Sequence, residues 1–505
     1  MHKEIYINVT QHEKRVAILE DKRIEEFYVE RPDYVNLVGN IYKGKVESVL
    51  PGMAAAFVDL GLEKNGFLHV SDCLGGAPSY ERLFDESTEA EETQGLPETK
   101  KALSSIAEVL KKGNEVLVQV VKEPIGTKGA RLTTHISIPG RFLVLMPFDN
   151  HIGLSKRIES REERDRIRSI MEELKLPKDT GFIVRTAAEG VNQRDFARES
   201  HYLINLWQHI KARGRRVRPG ALVHQEYDII LRVARDMFTN DVSRLEIDSK
   251  GDFKRISRFL RILAPHLRQR LRFHGANSPL FERLDIEKQI AKIYDRIVQL
   301  KSGGYLIFDQ TESLVAIDVN SGKFVGKRNL EDTVFKTNLE AAEEIPRQLK
   351  LRDIGGIIII DFIDMEFAGH RKAVFKTLEK HLESDKAKSN ILNISSIGLV
   401  EMTRQRVRKS IESKSYQKCP YCHGRGIVKS VSTVSIELMR KLESSLQAAR
   451  SREVFVSLNP EVAIFVSNPQ KNMIRPLERR FRKTIRIIED PNLPIEEIKV
   501  EERSA

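Results

Sequence analysis

The chain has 505 residues, 40% apolar and 31% charged, which is too long for one hydrophobic core, so three or more domains are expected. Lysine and arginine (84) outnumber aspartate and glutamate (72), and a pI near 9.3 points to a polyanionic partner, either nucleic acid or a membrane surface. No run approaches the ~20 apolar residues of a membrane-spanning helix. Three cysteines are too few for a disulfide framework, and Met1–Ile5 leads into a strand pattern without a signal core. A bacterial cytoplasmic location is therefore expected.

Residues 1–35 alternate as strands do: Ile5, Ile7 and Val9 share a face, and Val16 and Ile18 precede a charged hairpin at Asp21 and Lys22. Short strands follow at Ile41–Val46, Ala54–Asp59 and Gly66–Val70, with a turn at Pro51 and Gly52. Residues 75–102 hold two glycines at the start, two prolines and seven acidic residues between Glu81 and Glu98, which reads as a solvated loop. Strand pattern resumes at Val116–Val121. Five short strands around one long loop suit an OB-type barrel. Residues 135–225 mix strands at Phe142–Met146 and Phe182–Arg185 with helices at Arg161–Leu174 and Gln193–Lys211, the latter followed by the basic run Arg213, Arg215, Arg216, Arg218. A strand is expected near Tyr227–Val233, then mostly helix, with Leu284, Ile286, Ile290, Ile293 and Ile297 at helical spacing over Leu280–Leu300. Residues 304–400 alternate a hairpin (Tyr305–Asp309, Ser313–Val319), a helix (Glu331–Leu351), a strand (Gly356–Phe362) and a helix (His370–Glu383), the signature of an α/β layered domain. A tail of about 75 residues with mixed patterning closes the chain, and no 20–50-residue repeat is present.

Chemistry concentrates in two phrases. In LVAIDVNSG (314–322), the two-residue period of a strand puts Asp318 and Asn320 on one face, where an apolar strand meets a glycine turn. In GGIIIIDFID (355–364), four isoleucines predict a central strand buried on both faces, with Asp361 at its carboxyl end, where open α/β sheets bind ligands. Two such aspartates offer hard oxygens to magnesium, which takes one or two carboxylates and fills its shell with water and substrate phosphate. It would generate hydroxide and neutralise charge developing on a phosphate. Asn320 could orient Asp318 or the attacking water. On pattern alone, both aspartates could equally cap strand ends.

Around these residues the phrases AIDVNSG (316–322), TNLEAA (337–342), RQLKLRDIGG (347–356), IDFIDM (360–365) and GLVEMTR (398–404) resemble the catalytic core of the ribonuclease E/G family. The likeness runs from residue 3 to about 430, and CPYCHGRG (419–426), with no long C-terminal scaffold after it, resembles the shorter branch of that family. The resemblance implies a multidomain α+β architecture: an RNase H-like domain (1–38 and 226–293) with an inserted S1 domain of OB fold (39–134) and a 5′-sensor domain (135–225), a DNase I-like α/β catalytic domain (294–415), a zinc link (416–428) and a small C-terminal oligomerisation domain (429–505). It implies that Asp318 and Asp361 hold magnesium, with Asn320 supporting the attacking water or its ligand.

The stretch from Asn40 to Asp72 is similar to an S1 domain, in which Phe57 and Phe67 match positions that grip a base beside the scissile bond; Lys128, in TKGARLTT (127–134), matches a lysine of the same pocket. Aromatic stacking on a base is worth ~1–3 kcal/mol and tolerates any sequence. Phe57 lies in an apolar run and could instead be barrel core. GFIVRTA (181–187) looks like the family's 5′-end sensor: Arg185 would pair with a terminal monophosphate through its planar fork, Thr186 would add a hydroxyl, and the backbone near Gly140 and Val144 would complete the pocket. An ordinary surface arginine is the alternative. Lys388 stands where the family has an arginine in this pocket, keeping the charge without the bidentate geometry.

Cys419 and Cys422, followed by Gly424 and Gly426, read as a zinc knuckle. Structural zinc takes four ligands, so the economical arrangement is one ion shared by two chains, and the resemblance implies dimers linked in this way that pair into tetramers. A redox CxxC is the alternative, and no thioredoxin-like βαβ context is legible around it. The implied activity is hydrolytic: cleavage of A/U-rich single-stranded RNA, favouring 5′-monophosphorylated ends, in 16S ribosomal RNA maturation and messenger RNA decay. A non-catalytic RNA-binding or assembly protein and a DNA-directed metallonuclease are the competing readings, the first opposed by the intact Asp318, Asn320, Asp361 set.

Overall fold

The computed structural model describes residues 2–32, 36–73, 106–124, 128–174, 176–177, 180–276, 278–311, 313–322, 330–383, 385, 387–395, 398–405, 419–422, 424–448, 451–468 and 473–502. The acidic segment 75–102 lies outside the described residues. The chain forms two compact units, 1–412 and 413–505. The architecture is mixed α and β, and the first unit holds four sheets. No helix among the described residues is long and apolar enough to cross a membrane.

The first sheet has five strands in the order Leu271–Phe273, Val242–Ile247, Lys3–Val9, Lys14–Glu20, Arg23–Glu30. Lys3–Val9 runs parallel to Val242–Ile247 and antiparallel to Lys14–Glu20, so segments more than 200 residues apart share one sheet. The strand expected near Tyr227–Val233 is instead a helix, Ile229–Asp236, capped by the Asp228 carboxylate accepting from Leu231 N at 3.2 Å. Alternation there also satisfies helical spacing: Ile229, Ile230, Val233 and Ala234 are all buried, and the cap decides between the two. The helical spacing over 280–300 breaks into Leu280–Arg283, Ile286–Ile293 and a strand Ile297–Gln299, with Asp285 in the left-handed region (φ 54) between the two helices.

The second sheet closes on itself. Strands Ile41–Leu50, Ala55–Asp59, Gly66–His69, Arg131–Thr133 and Glu115–Lys122 pair in that order, and the last pairs with the first. This is the OB-like barrel expected from sequence, with its fifth strand inside the TKGARLTT phrase. Leu222–His224 adds an edge strand beside Ile41–Leu50. A third sheet, Ile152–Leu154, Gly181–Val184, Leu143–Met146, Ile138–Pro139, packs with helices Arg161–Glu173 and Gln193–Arg216. The second helix runs past the expected end and absorbs most of the basic run, whose charges suit a helix C-terminus.

The fourth sheet carries the predicted chemistry. Its order is Ile297–Gln299, Tyr305–Gln310, Leu314–Asn320, Gly356–Asp361, Leu399–Arg404, Ser389–Ile391. Helices Leu330–Arg352 and Ala368–Leu382 cover one face: Ala341, Ile345, Leu349, Val374 and Leu378 pack on Val315, Ile317, Ile358, Ile360 and Val400. The expectation of a strand buried on both faces fails here. Ile358 and Ile360 are fully buried, whereas Ile357 is 51% exposed on the uncovered face. The strand is central in its sheet, yet among the described residues the sheet has helices on one side only. Ile360→Ala should therefore cost about 2–5 kcal/mol, and Ile357→Ala less than about 1 kcal/mol, read by denaturant unfolding of the two variants. Equal losses would contradict one-sided burial.

Candidate active site

Asp318 and Asp361 are direct partners in the parallel pairing of Leu314–Asn320 with Gly356–Asp361. Both face the uncovered side, because their neighbours Ile317, Val319 and Ile360 point into the core. They line a cleft of about 370 Å³ together with Asn320, Ser321 and Asp364. Asn320 Nδ2 donates to Asp318 Oδ2 at 2.7 Å, which fixes how that carboxylate is presented. Partial burial and the negative charges of Asp318 and Asp364 push the Asp361 carboxyl above its ordinary range. Carboxylates set this close are relieved by a cation. Among the described residues no group of three or more His, Cys, Asp or Glu is placed to hold a metal.

The turn that ends this strand depends on glycine. A Cβ on Gly304 would meet Asn320 O at 2.7 Å and Thr337 Cγ2 at 2.8 Å, and Gly322 has φ +61 with Gly303 O 2.6 Å from where its Cβ would stand. Asn338 is fully buried on its helix and grips the segment after Asp361 from both sides: Nδ2 donates to Ile363 O at 2.8 Å and Oδ1 accepts from Ile363 N at 3.2 Å. Asn338 was quoted in the family phrase but given no role. Its sequence signal is a polar Thr-Asn pair in an apolar helix face. Glu331 holds the same region by accepting from Glu366 N and His370 Nδ1.

On the barrel, Phe57 and Phe67 stand opposite each other on adjacent strands, ring centroids 6.0 Å apart and nearly perpendicular. Ala56, Val58 and Leu68 fill the barrel interior, and the two rings are half-exposed on its outer side. The barrel-core alternative for Phe57 is thus excluded. Phe67 is the register partner of Arg131, so the aromatic pair continues into a basic residue. Lys128 is exposed beside this strand, where Gly129 passes so close to Asn65 O that a Cβ would stand 1.8 Å from it.

Arg185 ends the Gly181–Val184 strand. Its Nη1 donates to Gly140 O at 2.6 Å and to Asp236 Oδ1 at 2.5 Å, and Thr186 Oγ1 shares a hydrogen bond with Ser155 Oγ at 3.1 Å. Val144 is buried on the neighbouring strand. Beneath Gly140, the buried Glu199 carboxylate accepts from the backbone N–H groups of Arg141 and Phe142. A Cβ on Gly140 would fall 2.0 Å from Glu199 Oε1, so only glycine fits. Gly140, Arg185 and Thr186 with its Ser155 partner therefore form one cluster. Lys388 does not join it through any contact among the described residues; it is exposed at the start of the Ser389–Ile391 edge strand.

In the second unit Cys419 is exposed and Cys422 half-exposed, neither in a disulfide. Gly426 N donates to Cys422 Sγ at 3.4 Å, and backbone N–H groups at Gly426, Gly424 and Arg425, with the Cys419 side chain, pull the Cys422 thiol below its ordinary range. His423 lies outside the described residues. Cys73 is buried in the barrel core.

A family model described as the ribonuclease E/G family matches residues 137–407. Ribonuclease G of Escherichia coli (strain K12) is 41% identical over 491 residues, which span 97% of this chain and 98% of that protein. The chain belongs to the ribonuclease E/G family. Ribonuclease G of Haemophilus influenzae is 41% identical over 95% of this chain and 94% of its own length. Ribonuclease E of Escherichia coli is 36% identical over 97% of this chain but only 45% of its own length. A second model, described as the RNase E/G thioredoxin-like domain, matches residues 418–503.

That last match corrects the reading of the family's C-terminal region here. A βαβ unit is present: Glu453–Leu458 leads through Pro460–Ser467 and Arg475–Phe481 to the parallel strand Thr484–Glu489, with Lys499–Glu502 antiparallel on the other edge. The unit begins about 30 residues after Cys422, so nothing in the sequence near the pair marks it. The cysteines precede the Val431–Ala448 helix and are not on the strand-to-helix turn of the βαβ unit.

Glu199 is another residue that sequence reasoning missed; a lone glutamate in an amphipathic helix carries no signal. Burial pushes its carboxyl from 4.5 up to about 7, against the opposing pull of the Phe142 and Arg141 N–H groups. A folded-state value above the unfolded one stabilises below about pH 4.5, and that contribution is lost as pH rises through about 7. Between about pH 5 and pH 8 the wild type should therefore lose melting temperature relative to Glu199→Gln. Parallel profiles would refute the assignment.

Proposed function

We propose that the chain is a magnesium-dependent endoribonuclease that cuts A/U-rich single-stranded RNA, favours 5′-monophosphorylated ends and leaves a 5′-phosphate and a 3′-hydroxyl. That it is an endoribonuclease follows from its family; the finer statements are our reading of the site. The observation that carries it is the register pairing of Asp318 with Asp361 on an uncovered sheet face, with Asn320 bonded to Asp318. The two carboxylates fit a hard cation by charge and by oxygen chemistry. Magnesium bound there would supply a nucleophilic hydroxide and neutralise charge on the phosphate. Asn320 holds the Asp318 carboxylate in one orientation, and Asn338 fixes the backbone that follows Asp361.

Phe57 and Phe67, with Lys128 beside them, would stack an unpaired base and hold its backbone, which favours single strands over duplex. Arg185 and Thr186, with the Gly140–Val144 backbone, would receive the 5′-phosphate, and Lys388 would contribute charge at longer range. We read the segments as an RNase H-like domain (1–38, 226–293), an S1 domain (39–134), a 5′-sensor (135–225), a DNase I-like catalytic domain (294–415), a zinc link (416–428) and a small C-terminal domain (429–505). Cys419 and Cys422 suit zinc: two thiol ligands, one already drawn towards thiolate, leave two positions for a second chain. Dimers linked in this way, and tetramers built from them, acting on ribosomal RNA precursors and messenger RNA in a bacterial cytoplasm, complete the reading.

A 5′-monophosphorylated A/U-rich oligoribonucleotide incubated with magnesium should be cut by the wild type and at least about 100-fold more slowly by Asp361→Asn. No cleavage by the wild type, or equal cleavage by both, would sink the catalytic assignment. Purified protein should contain one zinc per two chains, lost in Cys422→Ser. One zinc per chain would mean that another residue completes the site.

A further inference from the structure

The Arg185 guanidinium is held by one nitrogen only. Nη1 spends its two protons on Gly140 O (2.6 Å) and Asp236 Oδ1 (2.5 Å), and neither Nε nor Nη2 has a partner among the described residues. The Nε–Nη2 edge is the side of the fork that can give two parallel hydrogen bonds to a phosphate. Both acceptors that fix Nη1 are themselves fixed. Asp236 is gripped by Arg235, whose Nε reaches Oδ1 at 3.2 Å and whose Nη2 reaches Oδ2 at 3.0 Å. Arg235 is buried and anchored in turn to Glu226 Oε1 at 2.7 Å and Pro139 O at 3.1 Å. Gly140 is set by its N–H donating to Leu143 O at 2.7 Å and by Glu199 packed where its Cβ would be.

The row Glu226, Arg235, Asp236, Arg185 alternates in sign. From Arg235 outward exposure rises: Arg235 side chain 7%, Asp236 25%, Arg185 31%. The end that faces solvent is the positive one. Asp236 ends the Ile229–Asp236 helix, which packs on the first sheet, whereas Arg185 belongs to the third. The bond between them thus ties the reading arginine to a separate module. Arg235 and Arg185 outweigh the effect of burial and keep the Asp236 carboxyl below its ordinary range.

We propose that Asp236 is a positioning residue for 5′-end discrimination, holding Arg185 by Nη1 so that its Nε–Nη2 edge is presented to the terminal phosphate. The proposal rests on the reading of Arg185 as the 5′-end sensor. It assigns the selectivity of that site to a carboxylate that never touches RNA.

The test compares kcat and KM on one A/U-rich oligoribonucleotide carrying either a 5′-monophosphate or a 5′-hydroxyl, for wild type, Asp236→Asn, Asp236→Glu and Arg185→Gln. Asp236→Asn should reduce the monophosphate-to-hydroxyl ratio of kcat/KM by about 5–10-fold, through KM for the phosphorylated substrate, with kcat within about twofold. Asp236→Glu keeps the charge and the Arg235 pair but displaces the acceptor, and should give a smaller loss of the same kind. Should Asp236→Asn fail to fold, Asp236→Glu carries the test. An unchanged ratio in the Asp236 variants, with a collapsed ratio in Arg185→Gln, overturns the positioning role alone. An unchanged ratio in Arg185→Gln overturns the sensor reading and the proposal with it. Equal losses on both substrates make Asp236 a structural residue and also overturn it.

Discussion

The candidate active site depends on one locked register. Asp318 and Asp361 carry like charge at adjacent strand ends, and two such charges a few ångströms apart in water cost on the order of 1 kcal/mol. The same register buries Val315, Ile317, Ile358 and Ile360 against two helices. Each buried side chain of this kind contributes about 1.5–3 kcal/mol, so the four outweigh the repulsion several-fold. A slip of one residue would carry the aspartates into the core and the isoleucines into water. The apolar face therefore holds the polar face in place. A cation that binds there relieves a repulsion the fold has already overcome, with no rearrangement of the strands.

The second site treats charge in the opposite way. Around Arg185 the protein places carboxylates behind an arginine whose Nε–Nη2 edge has no partner among the described residues. Glu199 is buried and Asp236 partly so, and each is satisfied: Asp236 by two arginines, Glu199 by backbone N–H groups. Such networks are rigid when complete and costly when broken. A phosphate reader needs that rigidity, because a guanidinium free to swing would accept any anion at any angle.

Much of this was legible in the sequence, for identifiable reasons. The Asp318 and Asn320 spacing, the barrel strands and the phrases around Asp361 depend on short-range periodicity, which a sequence records directly. The Tyr227–Val233 segment misled because its apolar residues fit two periods, and a cap at Asp228 settled it. Glu199 and Asp236 were not legible at all, and Asn338 showed only as half of a polar Thr-Asn pair. Each acts on a segment between 25 and 58 residues away in the chain, through a contact that exists only after folding. The tail failed for a related reason: the strands of its βαβ unit are as long as others in the chain, but only the parallel pairing of Glu453–Leu458 with Thr484–Glu489 shows that they form one.

The four isoleucines before Asp361 give the most useful error. Read alone, they predict a strand enclosed on both faces, as in a parallel sheet wrapped by helices. Among the described residues this sheet has helices on one side only, and Ile357 stands half in water on the other, two register steps from the carboxylates on the same face. A sheet enclosed on both sides could admit a small ligand at its strand ends but not a polymer crossing them. Leaving the face bare exposes apolar surface, and under the proposed function it would give an extended chain a floor along which to approach Asp318 and Asp361. The excess hydrophobicity of that strand and the openness of the cleft follow from the same arrangement: the strand's inner isoleucines hold the register, and its outer ones lie on the same face as the two carboxylates.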